Sequence, residues 1–217
     1  MCARYNLHSD PKLLVDQFGV EVGLPMPRFN IAPTQFVPLI RPATDKPGRE
    51  VASLKWGLIP SWADDIRIGT RHLNARSETV AEKPAFRAAF KRRRCLVPAS
   101  GFYEWTGPPK NRQPHLFGMR DARPFAFAGL WEKWERDGEQ IESFTILTTE
   151  PNELCARYHD RMPVIVHRND YDQWLNGEPK DLGSLLGPFP CDEMTVRPVS
   201  TRVNNSRNEG PDLLDAT

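Results

Sequence analysis

The chain has 217 residues, 39% hydrophobic and 26% charged, a composition ordinary for one globular domain with a full core. No stretch approaches the apolar run that a membrane span needs, and the 21 prolines favour strands and turns over a helical bundle. A net charge of +1 excludes polyanion binding by bulk electrostatics, so any nucleic-acid contact must come from local clusters of basic residues.

Met1-Cys2-Ala3-Arg4 opens the chain. Cysteine is small enough for an initiator methionine to be removed in front of it, and the new terminus would carry a thiol and an α-amine two bonds apart. The amine titrates at about 7.7–8.0 and a free thiol near about 8.5, so both are poised at neutral pH. Such a 1,2-aminothiol can trap an aldehyde as an imine and close to a thiazolidine. It can equally serve as an N-terminal nucleophile with its own amine as base. Chance also produces Met-Cys starts, so the rest of the chain decides. The first residues lack the positive, apolar, small-residue pattern of a secretory signal, which places the expected location in the cytoplasm, on the nucleoid if the source is bacterial. Cys95, Cys155 and Cys191 form no C-x-x-C pair and read as buried thiols.

Residues 11–19 predict a short amphipathic helix, with Ser9-Asp10 as cap, Pro11 at the first position and Gly19 as stop. A proline-rich stretch follows, and residues 36–40 and 51–58 read as paired strands around a turn at 45–48. Trp56-Gly57-Leu58-Ile59-Pro60-Ser61-Trp62 departs from any regular period and reads as a loop carrying two large aromatics. Residues 82–93 form a helical pattern, with Phe86, Ala89 and Phe90 on one face. Its end, Lys91-Arg92-Arg93-Arg94, is either a solvated helix terminus or a polyanion patch. Residues 94–105 predict one strand, and 107–111 a hairpin loop into 115–119. Strands at 125–134 and 143–149 are joined by the Arg136-Asp137-Gly138 turn. A short helix near 152–157, a strand at 164–166, brief helices at 169–175 and 181–186, and a last strand at 195–199 complete the chain. Residues 1–208 are expected to form the domain and 209–217 a flexible tail. The fold class is therefore α+β: a single domain with a mostly antiparallel β core and short peripheral helices.

Several residues stand out chemically. Glu104 sits between Tyr103 and Trp105 at the end of an apolar strand, where burial would raise its pKa into a general-acid range, but alternation leaves open whether it faces solvent instead. His159, in His159-Asp160-Arg161-Met162-Pro163, is either an acid–base group held by a carboxylate or a surface loop histidine. Asn74 and Arg76 alternate and could offer an amide and a guanidinium to one ligand, although the segment could also cap the next helix. Trp62 could stack on a base or cover the core. The remaining histidines show no ligand spacing, so no metal is expected.

Taken in order, Met1-Cys2, Phe29-Asn30-Ile31-Ala32-Pro33, the 56–62 loop, Asn74-Ala75-Arg76-Ser77-Glu78-Thr79, Gly101-Phe102-Tyr103-Glu104-Trp105, the 159–163 motif and Pro198-Val199-Ser200 make the chain resemble the SOS response-associated peptidase (SRAP) family of abasic-site processing proteins. The resemblance runs over about residues 2–208. It implies a β-barrel-like core, a monomer without a cofactor, and single-stranded DNA containing abasic sites as partner. It also implies a thiazolidine crosslink from Cys2 after Met1 removal, in the DNA damage response, together with abasic-site lyase and self-processing peptidase activity. In that pattern Cys2 is the nucleophile, Asn74 orients its amine or the sugar, Glu104 handles protons, and His159 assists proton transfer, including reversal. Arg4, Asn30, Arg76 and Arg161 match phosphate- or sugar-holding positions, and Trp62 a stacking position. The chain departs from the pattern at Ala3, at Ala63 where a second tryptophan is common, and at Pro84 where a basic residue is common. Two other readings stay open: an N-terminal-nucleophile cysteine hydrolase acting on amides or peptides, and a non-catalytic binder of single strands.

Overall fold

The computed structural model describes residues 2–20 and 27–216. In chain order these carry β1 (Tyr5–Leu7), α1 (Pro11–Phe18), β2 (Arg28–Ile31), β3 (Phe36–Pro42), β4 (Arg49–Trp56), β5 (Asn74–Arg76), α2 (Arg87–Arg92), β6 (Arg94–Ala99), β7 (Gly101–Thr106), β8 (Gln113–Met119), β9 (Phe125–Arg136), β10 (Glu139–Thr149), β11 (Met162–Pro163), β12 (Ile165–Val166), α3 (Tyr171–Asn176) and β13 (Met194–Pro198), with short 3-10 turns between them. No helix among the described residues is long and apolar enough to cross a membrane.

Five strands close on themselves in the order β10-β4-β3-β6-β9 and back to β10, giving a small barrel. Every pairing in it is antiparallel except β10 with β4, which is parallel and completes the ring. Closure leaves these strands no free edge. A second sheet, β13-β8-β7-β1-β2, lies beside the barrel. Tyr5 joins the two, its buried ring meeting Trp56 at 5.4 Å and Phe127 at 5.7 Å, both edge-on. Burying a ring of that size contributes about 2 kcal/mol, which anchors the N-terminal strand to the barrel.

Local signals explain most elements. Asp10 accepts from Lys12 N at 2.7 Å, Pro11 occupies the first turn of α1, and Gly19 ends it in the left-handed conformation at φ 65°. Asp137 and Gly138 both take positive φ, 52° and 81°, the turn that matches strand twist between β9 and β10.

The structure differs from the sequence expectation in several places: Trp56, read as a loop aromatic, is the buried last residue of β4, and the helix expected over 82–93 is confined to Arg87–Arg92. Residues 94–105 are two strands in different sheets, broken at Ser100. Gly101 permits the crossing, because a Cβ there would lie 2.7 Å from the Phe117 carbonyl oxygen. The strand β2 was hidden in the proline-rich stretch; residues 21–26 of that stretch lie outside the described residues. Residues 209–216, expected as a flexible tail, dock instead: Leu213 is buried with Tyr103, Val199 and Val203, and Ser200 N donates to Asp215 O at 3.1 Å.

The basic run at 91–94 also resolves. Arg94 is buried on β6, and its guanidinium donates to the carbonyls of Phe90, Lys91, Trp174, Leu175 and Gly177. It satisfies the otherwise orphaned carbonyl ends of α2 and α3.

Candidate active site and nucleic-acid interface

The site forms where the N-terminal strand meets β7. Tyr5 pairs with Phe102, and Tyr103 N donates to Arg4 O at 3.0 Å. Carried two residues on, this antiparallel register sets Ala3 opposite Glu104. Cys2 is fully buried. Burial pushes its thiol well above the ordinary range, and the charge of Glu104 pushes it further. In the chain that keeps Met1 the thiol is therefore held neutral at pH 7.

Asn74 reaches the same residue from the barrel side. Its strand, β5, runs parallel to β10, with Asn74 beside Ile146, and its Nδ2 donates to Cys2 O at 2.9 Å. That bond fixes the amide orientation and leaves Oδ1 buried without a partner among the described residues. Glu104 is 6% exposed, which decides the open alternation: the carboxyl faces inward. Burial raises its pKa to about 7, with the chain's amino-terminal charge acting in the opposite direction. A carboxyl with that value can give or take a proton at neutral pH.

His159 follows the 3-10 turn Cys155–Arg157, with its backbone N bonded to Cys155 O at 3.0 Å. Its Nδ1 accepts the backbone N–H of Arg161 at 2.9 Å and lies 2.9 Å from Asp160 Oδ1. Burial first, and the amino-terminal charge second, hold its pKa below the ordinary histidine value, while Asp160 acts against them. With Nδ1 as acceptor, the neutral ring carries its proton on Nε2.

Two recesses flank this cluster. One, of about 830 Å³, is lined by Ala3, Arg4, Glu104, Trp105, His159 and the 107–112 hairpin with Lys110 and Arg112. The other, of about 420 Å³, is lined by Trp62, His72, Asn74, Arg76, Lys83 and Phe86. Trp62 is 59% exposed and Arg76 is exposed, so the tryptophan is not a core lid. Lys83 and Pro84 line the same recess, and Lys83 supplies a cation there.

The remaining candidates have supporting places. Asn30 is fully buried; its amide donates to the carbonyls of Val203, Asn205 and Asn208, and its Oδ1 accepts from Arg4 at 2.7 Å. It ties the C-terminal segment to β2 and aims Arg4, which also packs over Trp105 at 5.9 Å. Arg161 is gripped bidentately by Glu78, at 2.6 and 2.9 Å, and donates to Thr148 O at 2.6 Å. Sequence reasoning missed Glu78, although it continues the alternation of Asn74 and Arg76. It also missed Trp105, Lys110 and Arg112, which no local pattern marks.

The family model for the SOS response associated peptidase (SRAP) matches residues 1–206 of this chain. The chain belongs to the SRAP family. It is 40% identical to the abasic site processing protein YoqW of Bacillus subtilis over 225 residues, covering 100% of both chains. It is 32% identical to the abasic site processing protein HMCES of Xenopus tropicalis, covering 88% of this chain and 66% of that protein. Among solved structures, a Bacteroides thetaiotaomicron protein superposes with a TM-score of 0.87 at 26% identity, covering 100% of both chains. A Bordetella bronchiseptica protein superposes with a TM-score of 0.80 at 28% identity, covering 92% of this chain and 100% of that one. The barrel with its flanking sheet is thus an SRAP architecture, and the Cys2 cluster occupies the place where its two sheets meet.

Proposed function

We propose that this SRAP protein captures abasic sites in single-stranded DNA as a thiazolidine crosslink at Cys2. The observation that carries the reading is the hydrogen bond from Asn74 to Cys2, with a buried Glu104 near neutrality whose charge acts on that thiol, and His159 lining the same recess as Glu104. Curated relatives that bear the name abasic site processing protein support the substrate class.

Removal of Met1 turns the Cys2 nitrogen into an amine, and Asn74 Oδ1, an acceptor without a partner among the described residues, is suited to orient it. The ring-opened abasic sugar presents an aldehyde. The amine attacks its carbon, and Glu104 protonates the oxygen while a proton leaves the nitrogen. That nitrogen proton returns to the Glu104 carboxylate, which delivers it to the hydroxyl; water leaves, and the resulting iminium gives its N–H proton back to Glu104, leaving the imine. The Cys2 sulfur then bonds to the imine carbon, its proton passing to the nitrogen, and the five-membered ring is closed with one water lost overall. A neutral thiol suits this order, because the sulfur acts after the amine. His159 assists proton transfer, and the same steps in reverse, consuming water, release the crosslink. The imine also gives a route to strand cleavage by elimination, the lyase activity. The peptidase of the family name is best understood as self-processing at Cys2. Trp62 and Arg76 in one recess, and Arg4 and Trp105 in the other, would hold the strand on either side through stacking and phosphate contacts.

Protein lacking Met1, mixed with a single-stranded oligonucleotide bearing one abasic site, should gain the mass of the DNA less one water. Cys2→Ala and a form retaining Met1 should not. An equal yield from Cys2→Ala overturns the proposal. Rapid turnover of simple amides or peptides without aldehyde capture would support the hydrolase reading instead.

A further inference from the structure

Glu78 has no part in the chemistry above, yet it holds the residue that sets His159. It lies just past β5, two positions on from Arg76, and its carboxylate grips both terminal nitrogens of Arg161. Arg161 also bonds to the β10 backbone at Thr148 O, and the chain beyond it is fixed by the pairing of Thr149 with Met162 and Thr148 with Pro163. The Arg161 side chain is 15% exposed and that of Glu78 49%, so the guanidinium is shielded while the carboxylate that grips it stays half open to solvent. Charge-assisted bidentate pairs of this kind fix geometry as well as contribute energy.

Nδ1 of His159 has two competing neighbours. It accepts the Arg161 backbone N–H at 2.9 Å, which needs an unprotonated Nδ1, and it lies 2.9 Å from Asp160 Oδ1, which needs a protonated one. The other charged groups around the ring are Glu104, Arg4, Lys110 and Arg112 in the recess that His159 lines, and Arg161 itself. We infer that Glu78 is a positioning residue for His159: by holding Arg161 it keeps the Arg161 N–H on Nδ1 and prevents that nitrogen from taking a proton and turning to Asp160. The neutral ring then keeps its proton on Nε2. The inference deepens the proposed reaction and rests on it only for the role given to His159.

The test separates the two. In protein without DNA, the titration of the His159 Cε1 proton and the long-range 15N–1H pattern of its ring are followed by NMR in wild type, Glu78→Gln and the double variant Glu78→Gln with Asp160→Asn. Wild type should show the Nε2-protonated tautomer. Glu78→Gln should raise the titration midpoint by about 0.5 to 1 pH unit, and removal of the Asp160 charge should reverse the rise. An unchanged midpoint and tautomer in a folded Glu78→Gln protein overturns the inference. Should that variant fail to fold, Glu78→Asp, which keeps the charge but shortens the reach, must show an intermediate shift; no shift again overturns it. The pH profile of crosslinking should move in the same direction as the midpoint. Failure of wild-type protein to crosslink at any pH would sink the functional reading, while the NMR titration would still decide the role of Glu78.

Discussion

The two recesses beside Cys2 are built from different physics. The one holding Glu104 and His159 places ionisable groups in partly or largely buried positions, and burial moves both from their ordinary values, the carboxyl up and the imidazole down. The one holding Trp62 and Arg76 leaves an aromatic face and a cation in solvent, where they can meet a strand but have no means of tuning a proton. Desolvation shifts protons and exposure leaves surfaces open to contact, and the proposed reaction at Cys2 would draw on both.

The sharpest way to break this division is Glu104→Gln. It should lower the crosslinking rate by about 100-fold or more, with DNA affinity nearly unchanged, as measured in single-turnover assays beside binding titrations. A comparable loss of affinity would move Glu104 into the contact recess. The same group makes a stability prediction. Its folded pKa is raised from 4.5 to about 7, so the folded state binds the proton more tightly. The favourable contribution is fully present below pH 4.5 and is lost as pH rises through 7, an effect on the order of 3 kcal/mol across that window. Chemical unfolding at pH 5 and pH 8 should show that slope in wild type and a flatter one in Glu104→Gln.

On the other side, Trp62→Ala should weaken single-strand binding by roughly ten-fold, consistent with about 1–3 kcal/mol per stacked base, and leave thermal stability unchanged. A large loss of stability would show that the ring is structural after all. The smallest effect is expected from Arg76→Ala: a modest loss of affinity that is uniform across sequences, with the slope of log affinity against log salt reduced by about 1. A sequence-dependent loss would make Arg76 a reader of bases.

Legibility followed the range of each interaction. The α1 cap, the 136–138 turn and the apolar strands on either side of that turn are local and could be read directly. The strand at 94–105 was read as continuous because the break at Ser100 depends on Gly101 passing the Phe117 carbonyl, a contact between distant segments. The run at 91–94 looked like a surface patch because charge is visible in sequence and burial is not, so the structural duty of Arg94 was hidden. Asn30 and Arg161 were marked as DNA-holding positions only by the family resemblance, and the partners that occupy them, the 203–208 carbonyls and Glu78, lie far away in the chain.

What the sequence determined by itself was the family, through seven ordered motifs, and the identity of the groups the proposal uses: a cysteine behind the first methionine, a carboxyl, an imidazole and an amide. Tertiary structure alone decided which way Glu104 faces, that the Cys2 thiol is buried and neutral, and that Nδ1 of His159 is an acceptor. The reason is physical. Residue type sets what a group can do, but protonation and orientation depend on desolvation and on hydrogen bonds between segments that meet only when the barrel closes and the N-terminal strand docks on its side.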